Sequence, residues 1–124
     1  MIQATRKNKF TVSLKSRSHS LISDVGETSG GDDLGMTPHE ILEASLAACT
    51  SITVQMYAAR KSWALESCDV LVSIASENAE GTVFSVKVNL VGNLDVGQIQ
   101  RLLEIATKCP VHKILSGPIK INMI

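Results

Sequence analysis

The stretch TPHEILEASLAACTSITVQMYAARK, residues 37–61, decides how this chain folds. Thr37 suits an N-cap, Pro38 the first helical position, and Glu40 stands three residues after the cap, where it can close a capping box. The pattern predicts a helix running to about Lys61. At about 100° per residue, Leu42, Ser45, Cys49, Ile52, Met56 and Ala59 fall on one stripe. Ala44, Ala47, Ala48, Val54 and Ala58 occupy the other faces. A helix this apolar nearly all round reads as a buried central element, and its small residues allow a second helix to approach closely.

On the N-terminal side, Lys9 to Val25 alternates apolar and polar positions, predicting two short strands that turn around Ser16 to Ser18. The glycine- and acid-rich segment 26–35 (GETSGGDDLG) is a loop. It lacks the Lys-Ser/Thr pair of a phosphate-binding loop. On the C-terminal side, residues 69–76 (DVLVSIAS) and 82–91 (TVFSVKVNLV) alternate strictly around a turn at Glu77 to Gly81, the pattern of a β-hairpin. Asp95 and Gln98 form a second cap pair and open a helix expected to place Ile99, Leu102, Leu103 and Ala106 inward. Pro110 ends or restarts that helix. A short turn, Val111 to Leu115, leads through Gly117-Pro118 to an expected last strand, Ile119 to Ile124. The expected architecture is α+β: a mostly antiparallel sheet packed on a long central helix, in one domain over residues 1–124.

Twelve basic and twelve acidic residues cancel, and only the start (Arg6, Lys7, Lys9, Lys15, Arg17) is mildly basic. That distribution argues against nucleic acid as a partner, which needs a concentrated basic surface. Arg60 and Lys61 interrupt the most apolar stretch, so no membrane span is expected. Met1 to Phe10 is polar and has no signal-peptide character. A reducing cytoplasm follows as the expected location, where three unevenly spaced cysteines point to chemistry or burial rather than a disulfide framework. Aromatics are only 3% of the chain, so the core rests on aliphatic residues. A second subunit is expected to cover part of the apolar surface.

Cys49, mid-helix on an apolar stripe, reads either as a small buried hydrophobe or as a functional thiol. The second reading requires a cation or hydrogen-bond donor beside it. Cys109 precedes Pro110, a pairing that can set the sulfur at a helix N-terminus or simply fill a gap where the helix stops. Cys68 opens a strand and reads as structural. His112 follows Cys109 by three residues, which permits a Cys-His couple or the polar start of a helix. The cysteines and the histidines His19, His39 and His112 form no recognisable metal-ligand spacing.

Several short motifs join these readings. Gly30-Gly31-x-x-x-Gly35, Pro38-x-Glu40-Ile41-Leu42, Ala47-Ala48-Cys49-Thr50, Tyr57-Ala58-x-Arg60-Lys61 and Cys109-Pro110-Val111-His112 follow one another in an order that resembles the OsmC/Ohr family from about Ser16 onward. The resemblance implies an OsmC-like intertwined homodimer and a peroxidase working without metal, flavin or other cofactor. Cys49 would be the nucleophile that attacks an organic hydroperoxide and Cys109 the thiol that resolves it. A dithiol, lipoyl-type in better-known members, would regenerate the pair. Glu40 and Arg17 would be the assisting acid and arginine.

Two positions depart from the pattern. In the peroxidase branch a glutamate directly follows the proline, where this chain has His39; the acid here is Glu40, nine residues before Cys49 and on the opposite side of one helix. The sequence Ser16-Arg17-Ser18-His19 lacks the glycines that flank the family's arginine. Glu40 therefore also reads as a capping residue, Arg17 as a solvated turn arginine, and His19 as a substitute for it. These departures leave open a non-catalytic relative that binds a lipophilic small molecule in the dimer groove. A Cys-His acyl transferase at Cys109 and His112 has no third orienting group.

Overall fold

The computed structural model describes residues 1–124. By packing, the chain divides into two compact units, Met1–Leu42 and Glu43–Ile124. The first holds a three-stranded antiparallel sheet in the order β1-β2-β3, formed by β1 (Gln3–Arg6), β2 (Val12–Ser16) and β3 (His19–Ser23). Ser16 pairs with His19 across the two-residue turn expected there, and Arg17 takes the left-handed conformation with φ 54°. Strand β1 was not foreseen. Its four residues are all exposed and carry no apolar alternation, so its place rests on the ladder to β2, from Gln3↔Lys15 to Arg6↔Val12.

The polar residues Thr11, Ser13, Ser23 and Asp24 are buried in this unit. Asp24 explains much of the following loop. Its carboxylate accepts hydrogen bonds from Val25 N (2.8 Å), Leu34 N (3.2 Å) and Thr11 Oγ1 (2.9 Å), fastening both ends of the glycine-rich segment. Burial pushes this carboxyl up, but those bonds outweigh it and hold it below the usual carboxylate value. Gly31 fits the same compact loop, since a Cβ there would meet the carbonyl oxygen of Val25.

Helix α1 (Pro38–Arg60) begins and ends within a residue of expectation. Thr37 N donates to Glu40 Oε2 (2.8 Å) and Glu40 N to Thr37 Oγ1 (3.2 Å), the reciprocal bonds of a capping box. The buried line, however, is Leu46, Thr50, Val54 and Ala58. Ile52 and Met56, from the expected stripe, are 55% and 60% exposed. A helix that is apolar on every side does not itself select a face; its neighbours do, and here they choose an i, i+4 line next to the one expected.

Those neighbours lie in the second unit. Strands β4 (Ala64–Asn78) and β5 (Gly81–Asn93) form a hairpin longer at both ends than the alternation suggested. Register shifts fall between Leu65 and Ser67 and between Ile74 and Ser76. Beside the second, Glu43 Oε1 accepts the amide of Ile74 at 2.7 Å, tying α1 to β4. Helix α2 (Val96–Ala106) carries the expected Asp95/Gln98 capping box, and α3 (Pro110–Ser116) follows. Val54, Ala58, Leu102 and Ala106 form the core, with Trp63, Leu65, Val88, Leu90 and Leu94 against it.

Two further expectations are corrected. Helix α2 buries Leu102, Ile105 and Ala106, while Ile99 and Leu103 are 36% and 42% exposed, because α2 turns a narrower line toward α1 than its apolar residues could cover. Residues 119–124 alternate as a strand would but pair with no other segment of the chain, so the expected last strand does not form.

Candidate active site

Cys109 is the N-cap of α3, with extended backbone (φ −65°, ψ 148°) and Pro110 at the first helical position. This turn points the sulfur inward. Its Sγ accepts the backbone N–H of His112 at 3.3 Å and lies 3.5 Å from Thr50 Oγ1 on α1. Cys109 is 0% and Thr50 1% exposed, so both groups are cut off from water. The Cys-Pro motif thus forms the helix-start arrangement that was one of its two sequence readings.

Thr50 directly follows Cys49. Contact with Thr50 therefore seats the Cys109 thiol against the turn of α1 that carries Cys49, although 59 residues separate Thr50 from Cys109 in sequence. Cys49 itself is half-buried, and all three cysteines are free thiols. Cys68 has a different setting. Burial, with a smaller contribution from Asp69, pushes its thiol up against the opposing effect of Ser51, and it packs on the core. A thiol so disfavoured from ionising is a poor nucleophile, which matches its structural reading.

Glu40, Arg17, His19 and His39 belong to the first unit. Glu40 is exposed at the start of α1 and closes its capping box. Arg17 is exposed at the tip of the β2–β3 turn, and His19 pairs with Ser16 beside it. His39 is exposed on the first turn of α1. His112 uses its backbone N–H on Cys109 and lines a cavity of about 410 Å³ with Leu46, Phe84, Val86 and Leu115 among others. No cluster of three or more His, Cys, Asp or Glu residues could hold a metal ion, and no helix is long and apolar enough to cross a membrane. Near the end of α1, Arg101 Nε donates to Tyr57 Oη at 3.0 Å, and Lys61 Nζ lies 5.7 Å from the same ring. The Arg101 bond, opposed by burial and aided by Lys61 and Arg60, holds the Tyr57 hydroxyl below its usual value.

Thr50 is the residue that sequence reasoning missed. Its signal was a hydroxyl on the line Leu46–Thr50–Val54–Ala58, which becomes visible once that line is taken as the buried one.

The sequence profile of OsmC-like proteins matches residues 30–124, more than half of the chain. The chain belongs to the OsmC-like family. Solved structures share its fold. An OsmC-like protein from Mycoplasma pneumoniae superposes with a TM-score of 0.79 at 19% identity, covering 94% of this chain and 86% of that one. An organic hydroperoxide resistance protein from Elizabethkingia anophelis, with thiocyanate bound, gives 0.67 at 21% identity over 94% and 89%. An OsmC-like protein of unknown function from Vibrio cholerae gives 0.72 at 14% identity over 92% and 91%. No curated protein shows significant similarity. At these identities the likeness is one of fold, and the OsmC-like α+β architecture expected from the sequence is the one observed.

Proposed function

We propose that this OsmC-like protein is a thiol-dependent peroxidase that reduces organic hydroperoxides through Cys49 and Cys109, as a homodimer in a reducing cytoplasm. The observation that supports it is the burial of the Cys109 thiol against Thr50, beside Cys49 on the same turn of α1. In the first step the Cys49 thiolate attacks the O–O bond: an S–O bond forms, the O–O bond breaks, and the alkoxide takes a proton and leaves as an alcohol. The sulfur is now a sulfenic acid. Cys109 attacks that sulfur, an S–S bond forms, and water departs. An external dithiol, in this reading lipoyl-type, supplies two electrons and two protons to restore both thiols. Glu40 and Arg17 enter on the family resemblance as the assisting acid and cation, and Glu40→Gln and Arg17→Met test them. A second copy would cover the exposed apolar residues Leu42, Ile52 and Met56 of α1, which sedimentation can check.

The deciding experiment follows cumene hydroperoxide consumption by the reduced full chain with a dithiol, counting free thiols by mass spectrometry. Turnover should occur, with a Cys49–Cys109 disulfide in the oxidised protein. Absence of both turnover and thiol loss would overturn the peroxidase reading. The cavity lined by Leu46, Phe84, Val86, Leu115 and His112 supports a second reading, a non-catalytic protein that binds a lipophilic small molecule. That reading predicts saturable binding of a fluorescent fatty acid that survives replacement of both cysteines.

A further inference from the structure

The buried line of α1 is Leu46, Thr50, Val54 and Ala58, apolar but for one hydroxyl. Valine has nearly the shape of threonine and would bury there without desolvating an oxygen, so packing alone gives Thr50 no advantage. Its hydroxyl faces a sulfur that already accepts the His112 N–H. Either atom can donate across this contact, so the thiol proton of reduced Cys109 can be given to Thr50 Oγ1. If the thiol ionises, the hydroxyl can rotate and donate instead.

We propose that Thr50 is a positioning residue for the disulfide-closing step: its hydroxyl fixes the Cys109 sulfur beside the turn bearing Cys49 and exchanges the proton that sulfur must lose. The inference rests on the redox pair proposed above and concerns its second half. In that step Cys49–S–OH and H–S–Cys109 become Cys49–S–S–Cys109 and water, the thiol proton leaving with the displaced hydroxide. Thr50 neither gains nor loses atoms. It acts only through Cys109.

The test uses the full chain as wild type, Thr50→Val and Thr50→Ser, each checked for folding by circular dichroism. Reduced protein receives one equivalent of cumene hydroperoxide, and dimedone-trapped sulfenic acid and disulfide are followed with time. Thr50→Val should slow disulfide closure about tenfold, the scale of one lost hydrogen bond, and accumulate sulfenic acid, while Thr50→Ser restores closure. A merely structural role would not give that split. Equal slowing in the Val and Ser variants, or wild-type closure in Thr50→Val, overturns the inference. The same proteins are closed with diamide, which needs no peroxide. A slow Thr50→Val with diamide supports Thr50 even if peroxide is never consumed, whereas a wild type that forms no Cys49–Cys109 disulfide with either oxidant overturns both proposals.

Discussion

Two buried polar groups, one in each unit, are held in contrasting ways. The Asp24 carboxylate accepts from two backbone amides and a hydroxyl at 2.8–3.2 Å, all in fixed turns of the first unit. The Cys109 sulfur has one amide at 3.3 Å and one hydroxyl at 3.5 Å. A carboxylate with three donors on its two oxygens cannot move without leaving amides unpaired, so it organises a loop. A sulfur forms weaker bonds, and two of them can hold it while leaving it able to react. Burial is common to both; the strength of the surrounding bonds separates the carboxylate that organises a loop from the thiol proposed to react.

The sharpest way to break that comparison is to remove each group. Cys109→Ser should stop disulfide closure and leave a persistent sulfenic acid on Cys49, seen by dimedone labelling, while the unfolding midpoint changes little. Asp24→Ala should do the reverse, lowering Tm more than any thiol substitution and releasing hydrogen-exchange protection at the Val25 and Leu34 amides.

A pH titration sharpens the same contrast. Because the folded protein holds the Asp24 carboxyl below its ordinary value, its contribution to stability is fully present above about pH 4 and is lost as pH falls through the depressed value. Acid unfolding of wild type should therefore steepen in that range, and Asp24→Asn should remove the steepening. The smallest effect is expected at Cys68. Its replacement by Ala trims a partly buried sulfur and should cost about 1 kcal/mol in denaturant unfolding, with peroxide turnover retained.

Local chemistry made much of this fold readable. The Thr37/Glu40 and Asp95/Gln98 boxes, the Arg17-Ser18 turn and the Cys109-Pro110 helix start are each set by residues a few positions apart, and each formed where its pattern placed it. What escaped depended on distant partners. Strand β1 has no apolar pattern of its own, and α1 offered apolar residues on every face, so the hairpin and α2 chose which line was buried. The thiol neighbourhood was legible only in part for the same reason. Cys49 and Cys109 stood out by type, but Thr50 acquires meaning from a residue 59 positions away. Asp24 likewise takes its role from amides on both sides of the loop.

The two register shifts in β4 set a rule for altering the hairpin. Each adds one residue to β4 without a counterpart on β5, and side chains along a strand change sides with every residue. Between the two shifts, Ser67 to Ile74 pair one-to-one with Val91 to Phe84. Deleting Ala75 alone would close the second shift: Ile74 would still face Phe84 and Ser76 would still face Val83, so every pairing would be kept and only the irregular backbone next to the Ile74 amide that Glu43 holds would be lost. A single residue removed inside the one-to-one run from Ser67 to Ile74 would instead slip every pair beyond it by one and carry those side chains to the opposite face.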